Sequence, residues 1–303
     1  MGYRIRQKES VQDAIQRIAT EQIDKAIAEI EDAARDRHEV IHQVRKRCKK
    51  LRALVRLVRP ALGKTYQREN ARFRDIARDL GSLRDEQSLV ESLERLQEML
   101  GEPERHRFDQ ILGKLRTRRD EAADSDSQDP DALLSQARKK LVKARNKVAA
   151  WSLDESGFAA MDGGMIKSYA RGRKAMKSAF QSGQPEDFHE WRKRVKYHLH
   201  HVKALGPLWP GVNRAYVKEG KALADLLGDD HDLALLSALL QREGDALAGE
   251  ETRAGLDAHI RCEQRRLQGR AWQLGERLFA EKPKALKKRW RHYWRAWQAG
   301  VVR

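Results

Sequence analysis

The chain has only two cysteines, 6% aromatic residues and no apolar run approaching membrane-spanning length. Cys48 and Cys262 lack paired spacing, which argues against a disulfide framework and against a zinc site. The opening stretch MGYRIRQKESVQDAI has no apolar run to serve as a signal peptide, so the chain reads as soluble and cytoplasmic. No alternating polar and apolar pattern of useful length is present, which takes half-buried β-strands out of the expectation. There is no glycine-rich phosphate loop followed by a helix, and no G-x-S-x-G turn; the sequence signatures of those enzymes are missing. Hydrophobic content of 40% is enough for long amphipathic helices but lean for a thick central core.

One absence is local. From Val40 through Arg68 there is no Asp or Glu. Within this region, EVIHQVRKRCKKLRALVRLVRP (39–60) reads as a helix stopped by its terminal proline. Ile41, Val44, Cys48, Leu51, Val55 and Val58 fall on one side at about 100° per residue. His42, Arg45, Lys49, Arg52, Arg56 and Arg59 fall on a second stripe, one residue on and so about 100° away. An ordinary solvated helix mixes both signs, because like charges at i,i+4 destabilise it and opposite charges do the reverse. A stripe of uncompensated cations therefore calls for an anion from outside the chain. The formal net charge of +17 points the same way, toward nucleic acid, an anionic membrane or a phosphate polymer.

The stretch occurs twice. In FHEWRKRVKYHLHHVKALGP (188–207), aligning His189 with His42 sets Arg192, Lys193, Arg194 and Lys196 on Arg45, Lys46, Arg47 and Lys49. Pro207 then falls on Pro60, Leu227-Gly228 on Leu80-Gly81, Asp232 on Asp85 and Lys221 on Arg74. Acids vanish here too, from Trp191 to Lys218. Matched motifs in one register are the mark of an internal duplication.

A paired helical repeat opening on H-x-x-R-K-R-x-K and followed by L-G-x-x-x-D resembles the CHAD domain, the histidine-containing α-helical domain. The segment Tyr169-Ala-Arg171-Gly-Arg173-Lys174 is similar to that family as well, and the resemblance runs from about Tyr3 to the last helix. It implies two pseudo-symmetric helical bundles around a basic channel, binding of inorganic polyphosphate, association with polyphosphate granules, and no enzymatic activity. Some members carry a triphosphate tunnel domain with an E-x-E-x-K strand; here Glu29/Glu31 and Glu102/Glu104 are followed by Ala33 and His106 in helical text.

Coarse reading gives helices from Ser10 to Ala34, across the 39–60 stretch, from Tyr66 to Leu80, Leu83 to Leu100 and Glu104 to Ala123. Gly81-Ser82 breaks the chain, and DSDSQDP (124–130) is the expected linker. Further helices are expected at 131–151, 165–181, 185–205, 212–227, 229–243, 252–280 and 284–298, with 152–164 as a loop. The expectation is all-α: eleven or twelve helices in one CHAD-like domain over 1–303, divided into repeats 1–128 and 129–303.

From His42 to Arg59, at about 1.5 Å rise per residue, the basic rail runs roughly 25 Å, a shape that fits a linear polymer better than one small anion. Guanidinium groups fork onto phosphate oxygens, while ammonium groups act as mobile point charges. The candidate polyphosphate-binding residues are His42, Arg45, Lys46, Lys49, Arg52, Arg56, Arg74 and Arg78 from the first half. The second half supplies His189, Arg192, Lys193, Lys196, His200, Lys203, Lys221 and His231. Each has a plainer reading as a solvated face paired with acids such as Asp75, Asp79, Glu86 or Asp225. His198 and His201 stand at i,i+3 with His200 near, yet Arg and Lys surround them, so no metal and no cofactor is expected. His198 occupies a core-packing position. Arg84 extends the lining, Asp85 and Asp232 anchor the turn, and the Arg171, Arg173, Lys174 and Lys177 group is either lining or a solvated face. Trp290, Trp294 and Trp297 form a docking stripe; base stacking is the sharper alternative. Rival functions are an RNA- or DNA-binding basic helical protein and a metal-dependent phosphohydrolase accessory.

Overall fold

The computed structural model describes residues 2–81, 85–124 and 129–300. Among these, twelve α-helices and one 3-10 turn account for the regular structure, with no strand. The all-α expectation holds. The first four helices are α1 (Val11–Glu31), α2 (Arg37–Leu57), α3 (Gly63–Asp79) and α4 (Asp85–Glu98). Then come α5 (Glu102–Arg107), α6 (Asp109–Asp124), α7 (Pro130–Val148) and α8 (Ala159–Ser182). The last four are α9 (Pro185–Ala204), α10 (Pro210–Leu247), α11 (Glu250–Leu278) and α12 (Pro283–Ala299).

Helix α2 starts where the Asp36 side chain accepts from the Glu39 amide at 2.8 Å, a cap that satisfies one orphan donor of the first turn. Its apolar side is buried as the periodicity predicts, with Val44, Cys48, Leu51 and Val55 fully covered. The corresponding side of α9 buries Phe188, Trp191, Val195 and Val202. The two motif helices pack on each other. Helix α2 also packs on α1, α3, α7 and α8, and α9 packs on α8 and α10. Helix α7 lies on α1, α2 and α3, while α4 and α6 lean on α10.

Three boundaries differ from the sequence reading. The pattern over 212–243 predicts two helices broken at Gly228, but α10 runs unbroken from Pro210 to Leu247. Gly228 is there for close approach, since a Cβ on it would sit 3.0 Å from Arg192 Nη2. Residues 159–164, predicted as loop, open α8: Gly163 and Gly164 are helical, and a Cβ on Gly164 would lie 2.0 Å from the Leu57 carbonyl oxygen. Glycine there marks a helix crossing. The expected fifth helix is two, α5 and α6, parted at Phe108. Most of the expected linker, 125–128, lies outside the described residues; Asp129 caps α7 by accepting from the Asp131 amide at 2.9 Å.

The tryptophan-rich α12 docks by its aromatic stripe. Trp290 is buried, and Trp294 packs beside Phe158 and Trp297 at ring separations of 6.2 and 5.4 Å. No helix among the described residues is long and apolar enough to cross a membrane.

Candidate functional site

The contact between the motif helices is fixed by a buried histidine. His201 of α9 donates Nε2–H to the Ala53 carbonyl of α2 at 2.9 Å. Burial holds its ring down to about 4, so it is neutral and serves as a cross-link between the helices. His198 is a core group, as its apolar-stripe position suggests. Tyr216 gives its only hydroxyl proton to the Leu278 carbonyl at 3.0 Å, so His198 Nε2 must be the donor in the 2.9 Å bond to that hydroxyl.

The motif arginines use the L-G glycines. Arg45 Nη1 donates to the Ala77 carbonyl at 2.7 Å, satisfying an open acceptor in the last turn of α3, where the helix dipole favours a cation. The same guanidinium lies 2.8 Å from where a Cβ on Gly81 would stand. Arg192 meets Gly228 in the same manner in the second half. A side chain on either glycine would push the arginine out of its seat.

On α2 and the turn that follows it, three guanidinium groups are held by aromatic rings. Arg56 stands 4.4 Å above the Tyr197 ring and donates from Nη1 to the Tyr66 hydroxyl at 3.0 Å. Arg52 lies 5.9 Å from the Tyr197 ring, and Arg59 lies 4.8 Å above Tyr66. Burial lowers Arg52, and the Arg56 and Arg74 charges add to the effect. Arg171 of α8 belongs to the same group: burial lowers it first, then Arg194, Arg59 and Arg56. Lys167 is lowered by Arg59 ahead of burial.

A second group gathers where α9 and α10 face α2. His189 and His231 stack with ring centroids 4.0 Å apart. Both are held down to about 4 by burial first; His231, Lys193 and Arg192 add for His189, and Arg192, Lys196 and Lys193 for His231. His200 is held to about 3 by burial, then by Lys203 and Lys50. Lys203 is lowered by burial, then by Lys221 and Lys46. Lys50 falls to about 8 through burial, then Arg47, Lys46, Lys203 and Lys25. Cations from α1, α2, α9 and α10 thus crowd one region and repel one another.

Other predicted residues keep acidic company. Arg74 binds Asp75 at 2.9 Å, Arg78 reaches Asp75 at 3.3 Å, and Lys193 binds Glu190 at 2.6 Å. Exposed pairs of this kind contribute little to stability but do offset local charge. His42 is half-buried and Lys49 is exposed on the α2 stripe. Asp232 anchors no turn, because α10 is continuous; it faces Arg95 of α4 at 3.9 Å. Arg84 and the side chains of Asp85 and Glu86 lie outside the described residues. Among the described residues no group of three or more His, Cys, Asp or Glu is placed to hold a metal ion.

Sequence reasoning passes over Lys50, Tyr66, Tyr197 and Lys167, and leaves Arg59 and Arg171 outside the binding set. Lys50 and Tyr197 occupy the same register position of the two motifs, which is the one signal that could have paired them. The tyrosines carry no periodic or charge signal of their own.

In this region Arg52 Nε, Arg56 Nε, His189 Nδ1, Arg192 Nε, His200 Nδ1 and His201 Nδ1 are buried without a hydrogen-bond partner. Comparison with curated proteins returned no match. A family model, the CHAD domain, matches residues 17–241, from within α1 to within α10. As that match spans well over half of the sequence and contains both H-x-x-R-K-R-x-K helices, the chain belongs to the CHAD domain family.

Proposed function

We propose that the protein binds inorganic polyphosphate non-covalently along a basic channel walled by α2 on one side and α9 with α10 on the other. The observation that carries this reading is the crowding of cations from α1, α2, α9 and α10, where Lys50 is pressed down to about 8 by burial and then by Arg47, Lys46, Lys203 and Lys25, and Lys203 is lowered by burial and then by Lys221 and Lys46. The oxygens of a polyphosphate chain would offset that mutual repulsion.

The anion also changes the histidines. His189 and His231 are neutral beside Arg192, Lys193 and Lys196. A polyphosphate strand in contact would oppose that cationic field and favour their protonated forms, so binding takes up protons. The role is that of a binder with no catalysed step, consistent with the missing enzyme motifs. In this proposal the two halves are products of a duplication, with the boundary after α7 rather than at 128, because α7 packs on α1, α2 and α3. Supporting it, α1, α2, α3 and α7 pack in an order that α8, α9, α10 and α12 repeat in part. A cytoplasmic location, with recruitment to polyphosphate granules, belongs to the same reading. Docking of Trp290, Trp294 and Trp297 leaves the nucleic-acid alternative resting on net charge alone.

Competition decides the matter. Labelled long-chain polyphosphate should be displaced by unlabelled polyphosphate, weakly by RNA or DNA, and very weakly by orthophosphate at equal phosphate content. Displacement by RNA at the same phosphate concentration as polyphosphate would overturn the assignment, and chelator should leave binding unchanged.

A further inference from the structure

The cations around the channel are held in two ways. Arg74, Arg78 and Lys193 are held by carboxylates on their own helices. Arg52, Arg56 and Arg59 are met by aromatic rings. The difference matters for an anion. A carboxylate fixes a guanidinium and cancels its charge. A ring fixes it through the quadrupole of its face and leaves the full charge in place.

We infer that Tyr197 and Tyr66 are positioning residues of the site, holding Arg52, Arg56 and Arg59 as a pre-set row of uncancelled guanidinium groups. This inference rests on the polyphosphate-binding reading for its ligand, but not for its geometry. The three arginines stand at i, i+4 and i+7 along α2 and its C-terminal turn, so each lies about one helical turn from the next. Like charges at that spacing repel and would splay apart in an unsupported helix. Tyr197 reaches from α9 to lie against two of them, and Tyr66 reaches from α3 to the third. Arg56 is gripped twice, by the Tyr197 face and through its Nη1 bond to the Tyr66 hydroxyl at 3.0 Å. That hydroxyl accepts from Arg56 and keeps its own proton to give to a phosphate oxygen. Holding the row before the ligand arrives saves the side-chain ordering that each long flexible cation would otherwise lose on binding.

The assignment also brings Arg59 into the binding set and ranks the cations. The ring-held arginines rank above acid-held Arg78 and Lys193, which contribute little. The aromatic contact works across two motif copies, since Tyr197 belongs to the second and the arginines to the first. It is one physical reason for the two halves to act together.

The test uses the full chain and long-chain polyphosphate. Tyr197→Leu, which keeps apolar bulk but removes the ring, should weaken binding by about five- to tenfold. Tyr197→Phe, which keeps the ring, should stay within about twofold of the parent. Neither change should alter the slope of log affinity against log salt, because no charge is lost. Lys193→Ala should change affinity by less than Tyr197→Leu does. Unchanged binding in Tyr197→Leu overturns the inference, and so does a loss in Tyr197→Phe equal to that in Tyr197→Leu. Should the parent bind no polyphosphate, the functional proposal falls, and side-chain NMR of the unliganded protein still decides the positioning. The Arg56 Nε–Hε signal should shift or broaden in Tyr197→Leu and stay in place in Tyr197→Phe; an unmoved signal in both rejects it.

Discussion

Helices α2 and α9 share H-x-x-R-K-R-x-K in one register and differ in the residues just beyond it. Where α2 has Lys50, Leu51, Arg52, Ala53 and Leu54, α9 has Tyr197, His198, Leu199, His200 and His201. The shared positions do shared work: Arg45 and Arg192 each seat against an L-G glycine. The differing positions divide the labour. Helix α2 presents guanidinium groups, while α9 presents a ring for them and a histidine for the α2 backbone. His201 bonds the Ala53 carbonyl, and Tyr197 lies under Arg56. The halves are therefore complementary, and each completes a contact the other lacks.

This comparison can be broken most directly on the α2 side. Reversing two ring-held charges, Arg52→Glu with Arg56→Glu, should cut polyphosphate affinity by about a hundredfold or more, since each charged hydrogen-bonding group contributes roughly 1.5–3 kcal/mol. Far-UV circular dichroism should stay helical, because both side chains lie off the apolar face. The matching change on α9, Arg192→Glu with Lys196→Glu, should cost about as much. If either pair leaves affinity intact, the two-walled arrangement is wrong.

A stability measurement probes the cross-link next. His201→Ala removes the donor to Ala53 and leaves a cavity, and should cost about 1–3 kcal/mol in urea unfolding. Its folded value near 4 lies below the ordinary histidine value, so the unfolded chain binds more protons between those limits. Stability from this group is therefore full above about pH 6.5 and declines as pH falls toward 4. The parent should lose stability over that window faster than His201→Ala does.

The smallest expected effect sharpens the contrast between a fixed wall and a titrating one. Lowering pH from 7.5 to 6 should tighten polyphosphate binding by about two- to fivefold, as bound anion raises the histidines of α9 and α10 toward their ordinary range. The double change His189→Gln with His231→Gln should flatten that dependence while keeping most affinity at pH 7.5. Proton uptake measured by calorimetry in buffers of different ionisation enthalpy checks it. A pH profile unaltered by the double change would leave the histidines as packing groups.

The features legible along the chain are those that repeat. The 3.6-residue period of apolar residues marks which face of α2 and α9 is buried, because burial depends on a stripe that any single helix displays. The acid-free stretches and the common register of the two motifs mark the cations, since charge balance is countable without coordinates. Folding then selects which cations act. Arg74, Arg78 and Lys193 look like Arg52 and Arg56 in the sequence, and only the packed helices show that the former lie on carboxylates and the latter on rings from other helices. Packing also sets the meaning of glycine. Gly164 and Gly228 read as loop and turn by local propensity, yet both sit inside helices, where the Leu57 backbone and the Arg192 guanidinium respectively come close to where a Cβ would stand. Such contacts depend on residues far away along the chain, so no local pattern could report them.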